Sequence, residues 1–308
     1  MIKTLFVAGP TASGKTEYAI RLANDLDGEI VSADSMQIYK YMNIGSAKPT
    51  KKELSLAKHH MVDIIDPKSP FNVSDYQKLA KTCIDDISSR GKLPIVCGGT
   101  GLYFNSLIYE MDFSAPEGDN DYRNALFARY DNDAVKLHDY LSELDPFAAE
   151  EIHPNNVKRV LRAIERIEKG EAKLAQFTEI STLSRTIDPV LIYLDRDRDE
   201  LYDRINRRVD KLYESGLVDE VKSLMSMGFN EFDIAMKGIG YKEIIECLSD
   251  GRDPEEAKEV IKVGTRHYAR RQIIWFRRYK DMKWFRISGD EFDEPGYTTI
   301  LEYVKREL

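Results

Sequence analysis

Apolar positions fall along this chain in two alternating rhythms. Residues 2–8 are a short apolar, β-branched run, followed by a glycine-rich turn and then "KTEYAIRLANDL" (15–26) with helical spacing. "EIVSA" (29–33), "HMVDII" (60–65) and "LPIVCGG" (93–99) predict further strands. Between the last two, "VSDYQKLAKTCIDDISSRG" (73–91) predicts a helix with Ser74 as N-cap and Gly91 as its stop. Short apolar strands alternating with amphipathic helices predict an α/β fold, a parallel sheet core with helices on both faces. After Phe113 the rhythm changes. "SAPEGDNDYRNALFARYDN" is rich in turn residues, and helical patterns then run to about Thr186 with no strand among them. "VLIYLDR" (190–196) returns to a strand and charged helices follow it. The expected organisation is a core of residues 1–111 and 187–308, interrupted by a helical insertion domain of residues 112–186.

Composition narrows the classes. The chain has 308 residues, 42% of them hydrophobic, with a formal net charge of −8. That charge argues against general adhesion to polyanions, although a local nucleic-acid site depends on where the charges sit. No apolar run reaches the length of a membrane span. The N-terminus reads as a first strand, its apolar stretch being too short for a signal peptide. Cys83, Cys97 and Cys247 are odd in number and widely spaced, which predicts neither a disulfide framework nor a cysteine zinc site and points to the cytoplasm.

The chemistry begins at "GPTASGKT". Gly9, Pro10, Thr11, Ala12, Ser13, Gly14, Lys15 and Thr16 fit GxxxxGK[ST], after a strand and before a helix, as a P-loop requires. Backbone N–H groups and the helix dipole hold phosphate oxygens there, Lys15 adds a positive charge, and the Thr16 hydroxyl is available to Mg²⁺. The default occupant would be ATP or GTP. However, no NKxD base-reading motif is present, and "EIVSAD" is a poor Walker-B strand because it carries Glu29 and Ser32.

Further stretches share one pattern with the loop: "VSADSMQIYKYMNIGSAKPT" (31–50), "HHMVDIIDP" (59–67), "RGKLPIVCGGTGLYFNSL" (90–107), "KGIGYKE" (237–243) and "TRHYARRQIIWFRR" (265–278). Together they closely resemble the tRNA dimethylallyltransferase family in its bacterial form, over essentially the whole chain. The resemblance implies transfer of a dimethylallyl group from dimethylallyl diphosphate to N6 of adenine 37 in tRNAs reading codons that start with U. It also implies Mg²⁺ as cofactor and a loop that binds the diphosphate of an isoprenoid. A monomer is expected.

By that resemblance Asp34 is the base facing N6, within a tRNA-contacting stretch Asp34, Ser35, Met36 and Gln37. The residues alone leave a second reading, a carboxylate in the Mg²⁺ shell. Thr100, flanked by glycines, is implied to bind beside the base, though it also reads as a turn residue. Arg204 matches the family arginine that points to the diphosphate. Its helix also carries Asp199, Glu200, Asp203 and Asp210, which equally describes a salt-bridged surface. The segment 262–286 holds nine Lys or Arg and one acid, Asp281. Read as a helix it lines Arg266, Arg270 and Arg277 on one stripe and Arg271 and Arg278 on the next, with Ile261, Ala269, Gln272, Phe276 and Tyr279 on the opposite side toward the core, and the resemblance implies that Arg266, Arg270 and Arg271 meet tRNA. In the insertion, Arg123, Lys158, Arg159 and Arg162 match tRNA-contacting positions. Lys158 stands where the family has glutamine, and Ile274 where it usually has threonine. An ATP-dependent small-molecule kinase on the same core would need an arginine lid and no dense basic segment near the C-terminus. A non-catalytic RNA-binding module would have no reason to keep Lys15, Thr16 and Asp34 intact.

Overall fold

The first apolar run forms strand β1, Ile2–Ala8, and both of its faces are buried, with Leu5 and Val7 on one side and Phe6 on the other. Strands β2 (Gly28–Ala33), β3 (His59–His60), β4 (Leu93–Gly98), β5 (Ile187–Asp195) and β6 (Lys283–Arg286) join it. Their order is β3-β2-β4-β1-β5-β6, and every neighbouring pair is parallel. This computed structural model describes residues 1–111, 119–170 and 182–308. They form two units, Met1–Ile108 with Ser184–Leu308, and Tyr109–Leu183.

Helices α1 (Lys15–Asp25), α2 (Lys51–Leu56), α3 (Val73–Ser89) and α4 (Gly101–Ile108) belong to the first half of the larger unit. Helices α5 (Asn120–Arg129), α6 (Ala134–Leu144), α7 (Pro146–Glu151) and α8 (Val157–Glu168) make up the smaller one, around a core of Leu126, Leu137, Leu141, Val160 and Ile164. The chain then adds α9 (Arg198–Glu214), α10 (Leu217–Ser226), α11 (Tyr241–Ser249), α12 (Ala257–Phe276) and α13 (Glu294–Glu307). Helices cover both sheet faces, because a parallel sheet must be shielded from water on each side. On one face Tyr18, Ala19 and Leu22 of α1 and Ile300 and Val304 of α13 pack with Leu5, Val7, Ile30, Ile95 and Ile192. On the other the Phe6 ring meets Phe104 of α4 at 5.5 Å, and Phe104 meets Phe276 of α12 at 5.0 Å.

Three local expectations change. Helix α3 is capped by Asn72 and not Ser74: the Asn72 Oδ1 accepts from Ser74 N and Asp75 N, while Asp75 accepts from Asn72 N. That capping box outcompetes a single serine two residues on. Strand β3 stops at His60 because Met61 and Asp63 take positive φ, 62° and 61°, which an extended strand cannot contain. The basic stretch 262–286 is not one helix. Helix α12 ends at Phe276, and residues 283–286 pair with β5 as the edge strand. The insertion starts and ends three residues before the expected 112–186. Its expected helical rhythm from 171 to 181 lies outside the described residues.

Candidate active site

The carboxyl ends of β1, β2 and β4 lie side by side, which is where open parallel sheets gather their chemistry. From β1 comes the glycine-rich loop, from β2 Asp34, and from β4 Gly99 and Thr100. Within the loop Ala12 and Gly14 both have left-handed backbone, φ 64° and 100°. Such a turn, opening directly into α1, gathers backbone N–H groups into an anion-binding concavity. Glycine at 14 meets this geometry without strain.

Asp34 Oδ1 accepts from Met36 N at 2.8 Å and from Gln37 N at 3.3 Å, an Asx turn that fixes the carboxylate. Its other oxygen has no hydrogen bond among the described residues. Thr100 is laced to the same turn, its Oγ1 accepting from Ser35 N at 3.1 Å and its N–H donating to Ala33 O at 3.1 Å. The Gln37 amide is taken up within the fold: Oε1 accepts from Ser32 Oγ at 3.2 Å and Nε2 donates to Ala47 O at 3.1 Å.

A cleft of about 80 Å³ joins these elements, with Thr11, Lys15, Thr16, Asp34, Cys97, Arg208, Tyr268 and Gln272 in its wall. Lys15 Nζ donates to Pro10 O at 2.8 Å. Burial, aided by the nearby Arg208 guanidinium and opposed by the Asp34 carboxylate, brings the Lys15 ammonium down to about 8. Burial pushes the Cys97 thiol up to about 11, so it stays neutral at the floor of the cleft. Burial, then the Asp34 charge, raises the Tyr268 phenol well above its ordinary value. Lys15 and Arg208 therefore sit as two poorly solvated cations opposite one carboxylate, an arrangement suited to an anionic leaving group and a proton acceptor.

The structure distributes the expected residues unevenly. Thr11, Lys15, Thr16, Asp34 and Gln37 line the cleft, and Thr100 is bound to the Asp34 turn. Arg204, expected to face the diphosphate, is absent from the wall, because its Nε donates to Ala12 O at 3.0 Å on the far side of the loop. Arg266 donates to Asn206 Oδ1 at 2.6 Å, whereas Arg270 and Arg271 are exposed on α12. Within the smaller unit, Arg123 pairs with the buried Glu165 at 2.6 Å, which braces α5 on α8. Lys158, Arg159 and Arg162 stand exposed on α8, whose Val160, Leu161, Ala163 and Ile164 face inward. Exposed Ile274 makes no demand for a threonine in packing.

Three cleft residues escape a reading by motif. Arg208 lies one helical turn after Arg204, and the acids around it made the whole helix look like surface. Tyr268 sits one turn before Gln272 on α12. Gln272 itself carried a signal, a polar residue on the apolar stripe of an amphipathic helix. The residue is 5% exposed, its Oε1 accepts from Thr11 N at 2.8 Å and its Nε2 donates to Gly99 O at 3.0 Å.

The family model for IPP transferases matches residues 37–279 and that for isopentenyl transferases residues 2–69. The chain is 48% identical over 304 residues to the tRNA dimethylallyltransferase of Alkaliphilus oremlandii (strain OhILAs), covering 98% of this chain and 97% of the relative. It is 47% identical over 308 residues to that of Clostridioides difficile (strain 630), covering 100% and 99%. Among solved structures, the full-length tRNA isopentenylpyrophosphate transferase of Bacillus halodurans superimposes with a TM-score of 0.75 at 40% identity, covering 100% of this chain and 97% of that one. A eukaryotic dimethylallyltransferase acting on tRNA gives 0.83 at 26% identity, covering 99% and 80%. With the loop, Asp34 and Thr100 gathered at one end of a parallel sheet and relatives matched from end to end, the chain belongs to the tRNA dimethylallyltransferase family.

Proposed function

We propose that this protein transfers the dimethylallyl group of dimethylallyl diphosphate to N6 of adenine 37 in tRNAs reading codons that start with U. The products are N6-dimethylallyladenosine and diphosphate. One observation carries the assignment of roles: a carboxylate with a free oxygen, Asp34, shares a cleft with Lys15, Arg208 and the anion-binding loop. N6 attacks C1 of the donor, the C1–O bond breaks with its electron pair passing to diphosphate, and Asp34 takes the N6 proton. The exocyclic amine needs this help because its lone pair is delocalised into the ring. Thr100 keeps the Asp34 turn in place, and Lys15 with Arg208 stabilises the charge that develops on the leaving diphosphate.

Mg²⁺ fits this site. It commonly takes one or two protein oxygens and completes its shell with substrate phosphates and water. The Thr16 hydroxyl is such an oxygen in the cleft wall. When bound, Mg²⁺ would neutralise part of the diphosphate charge. The exposed Lys158, Arg159 and Arg162 of α8 and Arg270 and Arg271 of α12 suit tRNA phosphates. The target adenine must leave the stack to be reached. Three unpaired thiols agree with a reducing cytoplasm, where the protein acts as a monomer.

The test supplies purified protein, Mg²⁺ and tRNA unmodified at position 37 with either radiolabelled dimethylallyl diphosphate or γ-labelled ATP. Label entering tRNA from the prenyl donor only is expected. Asp34→Asn, which keeps the shape and loses the base, should lower kcat roughly 10²–10⁴-fold. Phosphate transfer from ATP without prenyl transfer would overturn the reading.

A further inference from the structure

The glycine-rich loop is gripped from outside by two arginines that the reaction itself does not use. Arg196, directly after β5 and 5% exposed, donates from Nε to Ser13 O at 2.9 Å and from Nη1 to Gly289 O at 2.8 Å. Glu200 also accepts from its Nη1. Arg204, two turns along on α9, donates from Nε to Ala12 O at 3.0 Å, and its Nη1 reaches Gly289 O and Asp290 Oδ1, each at 3.4 Å. Arg207 holds both oxygens of Asp290, at 3.0 and 2.6 Å. Two guanidiniums thus span from successive loop carbonyls to one turn beyond β6.

The consequence follows from peptide geometry. In a planar trans peptide the C=O and the N–H point in opposite directions. The Ala12 carbonyl shares its peptide with Ser13 N–H, and the Ser13 carbonyl shares its peptide with Gly14 N–H. A cation holding each oxygen on the outside turns each N–H inward and polarises it as a donor. Ser13 N–H closes the loop on Pro10 O at 3.2 Å. Gly14 N–H is at the start of α1, where helix amides lack intrahelical acceptors. Burial and the neighbouring Arg196 charge lower the Arg204 pKa, so its placement runs against the electrostatic preference of that guanidinium.

We propose that Arg196 and Arg204 are positioning residues for the diphosphate, acting through the 12–13 and 13–14 peptides with the Gly289–Asp290 turn as their abutment. This rests on the function proposed above and adds that neither arginine touches the substrate. The two Nε bonds supply the geometry, and the Asp290 carboxylate, 63% exposed, fixes the far end without belonging to the core.

The experiment measures steady-state kinetics and calorimetric binding of inorganic pyrophosphate on the full chain. Arg196→Lys keeps the charge but lacks a fork that can hold Ser13 O and Gly289 O together. It should raise KM for dimethylallyl diphosphate and Kd for pyrophosphate about ten-fold, with kcat and KM for tRNA within about two-fold. Asp290→Ala should weaken pyrophosphate about three-fold, and that effect should vanish in an Arg204→Ala background, since the path runs through Arg204. Unchanged pyrophosphate binding in Arg196→Lys and Asp290→Ala overturns the proposal, as does a fall in kcat at unchanged Kd. If Arg196→Lys does not fold, Asp290→Ala alone decides: three-fold weaker binding supports the brace and unchanged binding overturns it. A wild-type protein that neither binds pyrophosphate nor prenylates tRNA would instead overturn the reading of the site.

Discussion

Gln272 offers the sharpest test of how the site is assembled. Its one amide bridges the phosphate loop, through Thr11 N at 2.8 Å, and the turn before Thr100, through Gly99 O at 3.0 Å. The fit is close: a Cβ on Gly99 would stand 2.1 Å from the Gln272 Nε2. Gln272→Leu keeps most of the volume and removes both bonds. An unsatisfied buried amide or carbonyl costs about 1–3 kcal/mol, so losing two should cost roughly 2–4 kcal/mol after partial rescue by water from the cleft. For a unit of this size that is a drop in Tm of roughly 5–15 °C, measurable by circular dichroism. Gln272→Glu separates the two bonds. Its carboxylate still accepts from Thr11 N but repels Gly99 O, so much of the loss should return at acidic pH, where a protonated carboxyl can donate. Both variants should raise KM for dimethylallyl diphosphate, because the loop loses its tie to β4. If both melt within about 2 °C of wild type across pH, the bridge contributes nothing and the reasoning fails.

Two further outcomes follow from the charges in the cleft. Arg208→Ala should raise the donor KM roughly 10–100-fold, the worth of a charge-assisted bond to phosphate, with KM for tRNA little altered; equal loss for both substrates would place Arg208 elsewhere in the mechanism. Lys15, at about 8 in the folded chain, stays protonated to higher pH when unfolded, so the unfolded state binds the extra proton between pH 8 and 10.5 and stability rises with pH there. Urea unfolding without ligand should therefore show wild type gaining about 2 kcal/mol relative to Lys15→Met between pH 7 and 9.5, and a flat difference would mean the ammonium is well solvated.

The sequence by itself determined the parts whose physics is local. GxxxxGK[ST] between a strand and a helix defines an anion site from neighbouring residues alone, and Asp34 could be placed because a residue after a parallel strand must sit at the sheet's carboxyl edge. Periodicity located five of the six strands, with β3 drawn too long, the helices on both faces and the inward stripe of α12, including Gln272. Tertiary structure decided everything that depends on which distant side chains meet. Arg204 and Arg208 share one helix, one face and one composition, yet one grips Ala12 O and the other lines the cleft, a difference set by the roughly 6 Å that one turn advances along the axis and by where α9 packs. Strand β6 was hidden in a basic run because an edge strand needs a partner, and β5 lies about 90 residues earlier in the chain. The Ser74 expectation failed for a smaller reason of the same kind, since a cap is won by the residue pair that can bond reciprocally. Local rules fix what each segment can do; long-range packing fixes which of its groups are spent on the fold and which are left for the substrate.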